Sequence, residues 1–267
     1  MVPVVSPALL FGESLFESIR AHQGDWLAVD AHRRRLLSSL QAFEWELSLV
    51  PEKPRLLALL MEGLELLGNA QEAYARMTVW PAGRTGGPGI LPNTDGECVL
   101  LVCPLNSTTA LMESETPITL GRAASIGRDA WATPYEHKHG NYLPSRWAMA
   151  EARSRGLDDV VMCRPDGSPV EASSSNLLAF DGDRWATPKL ERNGLGGIAR
   201  NALMQQGVVE SAVDAGTLEK SSGLALVNSV RGLRFVREYE GNPLEIEGPH
   251  IDDLRRRWSA VVAGWRV

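Results

Sequence analysis

The feature that most constrains the fold of this 267-residue chain is a pair of tight-turn signals between short apolar segments. Pro165-Asp166-Gly167 separates residues 160–163 from the segment that ends at Glu171, and Asp181-Gly182-Asp183 separates two further apolar runs. Glycine next to aspartate or proline between strand-like segments predicts β-hairpins. Helical patterns precede and follow these hairpins, so strands do not alternate strictly with helices. The sequence therefore predicts an α+β fold with mixed sheets and flanking helices.

The first part of the chain contains two clear helical patterns. Residues 29–49 form the first, with Asp30 as the N-cap, and a leucine stripe over 57–67 forms the second, which Gly68 ends. The other predicted strands are 15–20, 74–80, 98–103, 118–123, 177–180, 184–186, 224–228 and 233–238, and the other predicted helices are 145–155, a segment from near Gly197, and 250–263.

A polar segment near the middle of the chain predicts a domain boundary. The stretch Asn106-Ser107-Thr108-Thr109 separates two parts that are rich in predicted strands and helices, and a chain of this length can form two moderate domains. We therefore expect a smaller N-terminal α/β domain over residues 1–104, an interdomain loop over 105–117 and a larger C-terminal domain over 118–267.

Composition and charge exclude several classes of protein. The net charge of −6 and the pI of about 5.5 do not suggest a nucleic-acid partner, and no stretch approaches the roughly 20 apolar residues that span a bilayer. The three cysteines are too few and too widely spaced for a disulfide framework or a zinc site. The first residues, with two prolines and no basic region, do not resemble a signal peptide. We therefore expect a cytoplasmic protein without a membrane anchor or a metal site.

The lysine in His137-Lys138-His139-Gly140-Asn141-Tyr142-Leu143 is the candidate catalytic residue. Most lysines are solvated surface charges, but aromatic residues at positions 131, 135, 142 and 147 flank this one. Partial burial among them would favour the neutral, nucleophilic amine. The stronger argument is the order of the motifs that follow this lysine.

Three motifs follow Lys138 in the chain. They are Glu171-Ala172-Ser173-Ser174-Ser175-Asn176, Gly196-Gly197-Ile198-Ala199-Arg200 and Asn228-Ser229-Val230-Arg231-Gly232. Together with Lys138 they resemble the fold-type IV (class IV) enzymes that depend on pyridoxal 5′-phosphate (PLP). That family contains branched-chain and D-amino-acid aminotransferases and aminodeoxychorismate lyase. The resemblance covers nearly the whole chain, and it implies a two-domain fold like that of D-amino-acid aminotransferase, with PLP bound by the C-terminal domain.

The resemblance assigns roles to Lys138 and to the first of the three motifs. It implies that Lys138 forms the Schiff base with PLP and acts as catalytic base and acid. Glu171 would pair with the pyridine nitrogen and keep the ring electron-withdrawing. Ser174, Ser175 and Asn176 belong to the same cofactor-binding motif.

The resemblance also implies a phosphate cup. Because Gly197 precedes a helical segment, the backbone amides of Ile198 and Ala199 would bind the phosphate. Ser229 matches a hydroxyl contact, and Arg35, in His32-Arg33-Arg34-Arg35-Leu36, matches the phosphate arginine. The family usually has a threonine where this chain has Ala199, so one hydroxyl contact is lost.

Three further features depart from the family pattern. The first strand and the Asp-Arg-Gly turn of the family are missing or shortened, the Gly-Asp-Gly element reads Gly12-Glu13-Ser14, and Phe235 replaces a proline. None of these departures removes a residue to which the resemblance assigns chemistry.

Within the family the resemblance is closest to aminodeoxychorismate lyase. These lyases are commonly short, and Arg84-Thr85-Gly86-Gly87-Pro88-Gly89 is similar to their glycine-rich loop, although Pro88 replaces the second arginine. Residues 228–232 are similar to their Asn-Ser-Leu-x-Gly form. We therefore expect conversion of 4-amino-4-deoxychorismate to 4-aminobenzoate and pyruvate, a reaction of folate biosynthesis. Arg84 and Arg231 would attract this dianionic substrate.

Two alternatives to the lyase are open. One is a class IV aminotransferase for branched-chain or D-amino acids, although the Arg-x-His pair of D-amino-acid aminotransferases is absent from the Arg84 loop. The other is a non-enzymatic binding or scaffold protein that kept the cofactor cradle. For either enzyme the resemblance implies a small-molecule substrate and a homodimer.

Overall fold

The structure is a computed structural model that describes residues 6–82, 95–105, 116–129, 131 and 133–266. The chain divides into two compact units. The first consists of Met1–Asn106, His137–Tyr142 and Arg266–Val267, and the second consists of Ser107–Glu136 and Leu143–Trp265. Both units combine a sheet with helices, which confirms the predicted α+β class.

The helices and strands of the described residues are numbered here in chain order. The helices are α1 (Pro7–Phe11), α2 (Val29–Ala42), α3 (Lys53–Leu66), α4 (Leu143–Ser154), α5 (Ile198–Gln205), α6 (Ala215–Lys220) and α7 (Pro249–Trp265). The strands are β1 (Leu15–His22), β2 (Asp25–Trp26), β3 (Glu72–Trp80), β4 (Glu97–Pro104), β5 (Ile118–Arg122), β6 (Asp159–Cys163), β7 (Pro169–Ala172), β8 (Asn176–Phe180), β9 (Trp185–Pro188), β10 (Val209–Ser211), β11 (Gly223–Asn228), β12 (Gly232–Tyr239) and β13 (Asn242–Pro243).

The first unit is built on a four-stranded antiparallel sheet in the order β2-β1-β3-β4. Strand β1 pairs with β3 in a register that places Phe16 opposite Thr78 and Ser18 opposite Arg76. Because side chains alternate along a strand, apolar residues such as Ile19 lie on the other face, where they pack with leucines of α2 and α3. The sheet therefore has one apolar face and one mixed face.

The mixed face carries polar and aromatic side chains of β1 and β3. Ser18 Oγ lies 3.2 Å from the hydroxyl of Tyr74, and Arg76 Nε donates to Thr78 Oγ1 over 3.2 Å. Glu17 breaks the pattern, because it is a carboxylate on the apolar face and is 0% exposed. A buried charge needs partners, so other residues of the first unit must supply hydrogen bonds or an opposite charge to Glu17.

The second unit is built on a nine-stranded mixed sheet. Its order is β10-β9-β8-β11-β12-β5-β6-β7, with β13 paired to β12. An additional pairing of β7 with β8 closes six of these strands into a ring. Leu120, Val161 and Leu226 belong to one apolar core of this unit, and Ala148 of α4 and Met162 of β6 belong to a second, smaller one.

Two predicted features of the first helix differ from the structure for local reasons. The helix predicted over 29–49 ends at Ala42, and Glu44 then adopts a left-handed conformation with a φ of 56°, which a continuing helix cannot contain. Asp30 lies in the first turn of α2, because the chain already enters the helix at the N-cap residue Ala28.

The predicted interdomain loop over 105–117 lies largely outside the described residues, so this boundary stays a prediction. One short segment in the structure does not follow a division of the chain into two consecutive domains. Residues His137–Tyr142 group with the first unit, although the chain on both sides of them belongs to the second. The chain therefore leaves the second unit after Glu136 and returns to it at Leu143.

Candidate active site

The segment that contains Lys138 pairs with the start of strand β1 within the first unit. The amide of Phe16 donates to the carbonyl oxygen of Lys138 over 2.8 Å, and the amide of Gly140 donates to the carbonyl oxygen of Ser14 over 2.6 Å. His139 forms an antiparallel bridge with the first residue of β1. Backbone hydrogen bonds therefore hold the lysine beside this strand.

Gly140 permits this close approach. A Cβ atom at this position would lie 2.0 Å from Ser14 Oγ, far inside van der Waals contact. A larger residue at this position would require the Ser14 hydroxyl to move from its place.

The side chain of Lys138 lies over the ring of Phe16. Its Nζ is 4.5 Å from the ring centroid, and the guanidinium carbon of Arg76 is 3.5 Å from the same centroid. The ring of Tyr142 packs edge-on against Phe16, with the centroids 6.0 Å apart. Phe16 therefore holds two cationic groups and a second aromatic ring on the mixed face of the sheet.

Glu17, the residue after Phe16, joins helix α2 to strand β1. Its carboxylate accepts hydrogen bonds from Nε and Nη2 of Arg35, both over 2.7 Å, and lies 2.6 Å from Nδ1 of His32. Burial alone would raise the pKa of Glu17, but Arg35 and His32 lower that pKa to about 2. Burial also lowers the pKa of His32. At neutral pH Glu17 is therefore charged, and a neutral His32 donates to it.

In the second unit, Glu171 is a buried carboxylate that contacts a guanidinium and amide groups. Nη2 of Arg128 lies 3.0 Å from its Oε1. Its Oε2 accepts from the side-chain amide of Asn176 over 3.3 Å and from the backbone amide of Leu195 over 3.2 Å. Arg128 is only 6% exposed, and its guanidinium lies 4.3 Å above the centroid of the Tyr135 ring. The nearby guanidinium favours the charged form of Glu171.

Asn176 links this network to the start of helix α5. Its side-chain amide also donates to the carbonyl oxygen of Leu195 over 2.9 Å, and a Cβ atom at Gly197 would lie 1.9 Å from its Oδ1. Gly197 is the N-cap residue of α5, and no side chain caps this helix. The first backbone amides of the helix, which belong to Ile198 and Ala199, are therefore suited to bind an anion.

A turn after β11 contacts the serine motif. The side-chain amide of Asn228 donates to the carbonyl oxygen of Ser174 over 3.1 Å and to Oγ of Ser175 over 2.9 Å. Its Oδ1 accepts from the backbone amide of Arg231 over 2.6 Å. Ser229 is half-buried within this turn, whereas Arg231 is exposed. The turn and the serine motif therefore form one connected structure.

The predicted site residues fall into two sets. Lys138 and Arg35 lie in the first unit. The second unit contains Glu171, Ser174, Ser175, Asn176, Ile198, Ala199, Ser229 and Arg231. Arg84 lies outside the described residues. The roles of these residues in binding a cofactor or substrate stay predictions.

Three charged side chains of these networks were not predicted from the sequence. The sequence could have indicated Glu17, because strand alternation places this carboxylate on the apolar face, where it needs a partner. Arg76 and Arg128 carry no comparable signal. Their contacts with Phe16 and Glu171 form only when segments distant in the sequence come together.

The described residues also bear on the expectations about metal ligands, membrane spans and disulfide bonds. They contain no cluster of three histidine, cysteine or carboxylate side chains that could hold a metal ion. In the same part of the chain, no helix combines the length and apolar character needed to cross a bilayer. Cys98, Cys103 and Cys163 form no disulfide bond.

The sequence model of the family described as amino-transferase class IV matches residues 14–239. The chain therefore belongs to the class IV aminotransferase family, as the order of its motifs predicted. The match includes every predicted site residue, from Arg35 to Arg231.

Relatives and solved structures agree with this assignment. A candidate branched-chain-amino-acid aminotransferase of Methanocaldococcus jannaschii is 24% identical over 274 aligned positions, and the alignment covers 100% of this chain and 93% of the relative. The branched-chain aminotransferase of Thermoproteus uzoniensis, solved with norvaline, has a TM-score of 0.84 at 22% identity, and the likeness covers 99% of this chain and 90% of that one. A candidate 4-amino-4-deoxychorismate lyase of Legionella pneumophila has a TM-score of 0.80 at 21% identity, with coverages of 98% and 96%. These likenesses confirm the predicted fold.

The ion pair of Arg128 and Glu171 gives a prediction about stability. Arg128→Gln leaves a buried carboxylate without its cation, which should lower the free energy of unfolding by about 3–5 kcal/mol. Arg192→Gln is the matched control, because Arg192 pairs with Glu136 but its side chain is 74% exposed, and its loss should cost about 0–1 kcal/mol. Urea unfolding measures both values. Equal effects of the two variants would contradict the importance of the buried pair.

The lowered pKa of Glu17 gives a prediction about acid stability. A carboxylate whose pKa falls from 4.5 to about 2 on folding stabilises the protein above pH 4.5, and this contribution is lost as the pH falls toward 2. In Glu17→Gln the decline of unfolding free energy with falling pH should be shallower over this window, by up to about 1.4 kcal/mol per pH unit. Denaturant unfolding at several pH values measures the slope. An unchanged slope would show that Glu17 does not carry this linkage.

Proposed function

We propose that this protein is a PLP-dependent aminotransferase that acts on branched-chain amino acids. The observation that carries the proposal is the buried Glu171–Arg128 pair, connected through Asn176 to the uncapped start of α5. A pyridine nitrogen is held by a fixed carboxylate, and a phosphate is held by backbone amides at a helix start. The second unit supplies both groups in one connected network.

The donor groups of the chain fit the chemistry of PLP. Glu171 provides the carboxylate for the ring, and the amides of Ile198 and Ala199 provide donors for the phosphate. Arg35 provides a guanidinium and Lys138 a primary amine, which the resemblance assigns to the same cofactor. Ala199 contributes no hydroxyl, so the proposed phosphate contact at this residue rests on its backbone.

PLP, when bound, supplies a ring that stabilises negative charge on the α-carbon of an amino acid. Lys138 would hold the cofactor covalently, and its amine would move the proton at that carbon. Glu171 would stabilise positive charge on the ring nitrogen. The resemblance assigns contacts with the phosphate to Arg35 and to the backbone amides at the start of α5.

The names of the relatives support the branched-chain substrate. All seven curated relatives that match the chain are named as branched-chain-amino-acid aminotransferases, at 22–25% identity. The aminotransferase, which the sequence left open as an alternative, now has more support than the lyase.

Aminodeoxychorismate lyase is the second candidate function. The likeness to the Legionella pneumophila protein favours it, and so does the turn over residues 228–232, which has the sequence form seen in lyases. In that reaction exposed Arg231 would attract the dianionic substrate. Arg84, the other arginine proposed for this role, lies outside the described residues.

Other properties of the protein also stay predictions. The family resemblance is the support for a homodimer and for a small-molecule substrate. The acidic net charge of −6 supports the absence of a nucleic-acid partner. A cytoplasmic location is an expectation from the sequence alone.

The decisive experiment supplies both classes of substrate to the purified protein. Branched-chain amino acids with 2-oxo acid acceptors test transamination, and aminodeoxychorismate, followed by release of 4-aminobenzoate and pyruvate, tests the lyase. We expect transamination, and we expect Lys138→Ala to reduce its rate at least about a hundredfold, because the lysine serves as acid and base. Lys220→Ala, which changes an exposed lysine of α6, is the control. Release of 4-aminobenzoate without transamination would establish the lyase, and full activity of Lys138→Ala would refute the role of Lys138.

A further inference from the structure

The residue before Lys138 contacts helix α2. Nδ1 of His137 lies 3.0 Å from Oγ of Ser39, and the His137 ring packs edge-on against Phe43 with the centroids 5.1 Å apart. Ser39 is 4% exposed, so this hydrogen bond is shielded from water. The backbone of the Lys138 segment therefore bonds to β1, and the side chain of His137 attaches the same segment to α2.

The same face of α2 carries the arginine that is proposed to bind phosphate. Ser39 lies four residues after Arg35, and residues at this spacing lie on one face of a helix. His32, one turn earlier, shares the carboxylate of Glu17 with Arg35. The residue next to Lys138, His137, contacts Ser39 on this face. Lys138 therefore lies near this face of α2.

We infer that the His137–Ser39 hydrogen bond positions Lys138 relative to Arg35, because it fixes the residue before Lys138 to α2, the helix that carries Arg35. The inference rests on the proposed function, in which Lys138 bonds covalently to PLP and Arg35 binds its phosphate. Ser39 is a positioning residue, because it holds His137 and thereby orients the neighbouring Lys138. Its side chain is expected to affect the covalent bond and not the binding of the phosphate.

Two forms of the cofactor separate these effects. Pyridoxal 5′-phosphate has an aldehyde that can bond to Lys138. Pyridoxamine 5′-phosphate has the same ring and phosphate but an amine in place of the aldehyde, so it cannot form this bond. A hydrogen bond that only stabilises the fold would affect both ligands, whereas a contact that positions Lys138 would affect only the aldehyde form.

The experiment titrates the cofactor-depleted protein with each form. Ser39→Ala should weaken the affinity for pyridoxal phosphate by about twofold to tenfold, which is the effect of losing one neutral hydrogen bond. Its affinity for pyridoxamine phosphate should stay within about twofold of the parent value. Borohydride fixation of pyridoxal phosphate onto the peptide that contains residue 138 should be slower in the same variant.

Three further variants serve as controls. Ser38→Ala changes an exposed neighbour on α2 and should match the parent in both titrations. Ser39→Thr keeps a hydroxyl and should restore most of the affinity for pyridoxal phosphate. His137→Phe keeps a ring against Phe43 but removes the hydrogen bond, so it should behave like Ser39→Ala and replaces that variant if it does not fold.

The outcomes distinguish this inference from the proposed function. Equal losses for both ligands, or no loss for either one, would overturn the positioning role while leaving the PLP-dependent function intact. If the parent protein binds neither form, and borohydride fixes nothing at residue 138, the proposed function fails and the inference fails with it.

Discussion

The buried carboxylate of Glu17 is the charge on which the first unit depends. It lies on the apolar face of the sheet with 0% exposure, so the fold must supply partners for it. Arg35 and His32 supply them from α2, and this fixes the helix against β1. The backbone amide of the adjacent residue, Phe16, donates a hydrogen bond to the carbonyl oxygen of Lys138. One strand therefore positions both the helix that carries Arg35 and the segment that carries the proposed catalytic lysine.

The second unit uses the same physical arrangement. Glu171 is a buried carboxylate that an arginine, Arg128, holds at 3.0 Å. Amide donors from Asn176 and Leu195 also bond to Glu171 and connect it to the start of α5. In each unit a buried carboxylate thus contacts a residue that the family resemblance assigns to the cofactor, Arg35 in the first and Asn176 in the second. Such pairs fix geometry well, because breaking one leaves a charge in an environment that water does not reach.

Most of the fold could be predicted from the sequence, because hairpin turns and helical stripes are local signals. The motifs around Lys138 and Glu171 also identified the family. Three features could not be predicted, since each depends on tertiary structure: the contact of Arg128 with Glu171, the packing of Arg76 on Phe16, and the placement of residues 137–142 with the first unit. The preference for the lyase had the weaker support, because it rested on short loop motifs rather than on the cofactor-binding groups that the family shares.

Native-state hydrogen exchange of residues 137–142 tests the central claim most directly. The claim is that the Lys138 segment is part of the first unit through its backbone bonds to β1. It predicts that the amides of Phe16 and Gly140, which bond across this contact, become exposed only in the opening that also exposes the amides between β1 and β3. Exchange of the Gly140 amide at the rate of an exposed loop, while the β1–β3 amides stay protected, would contradict the account.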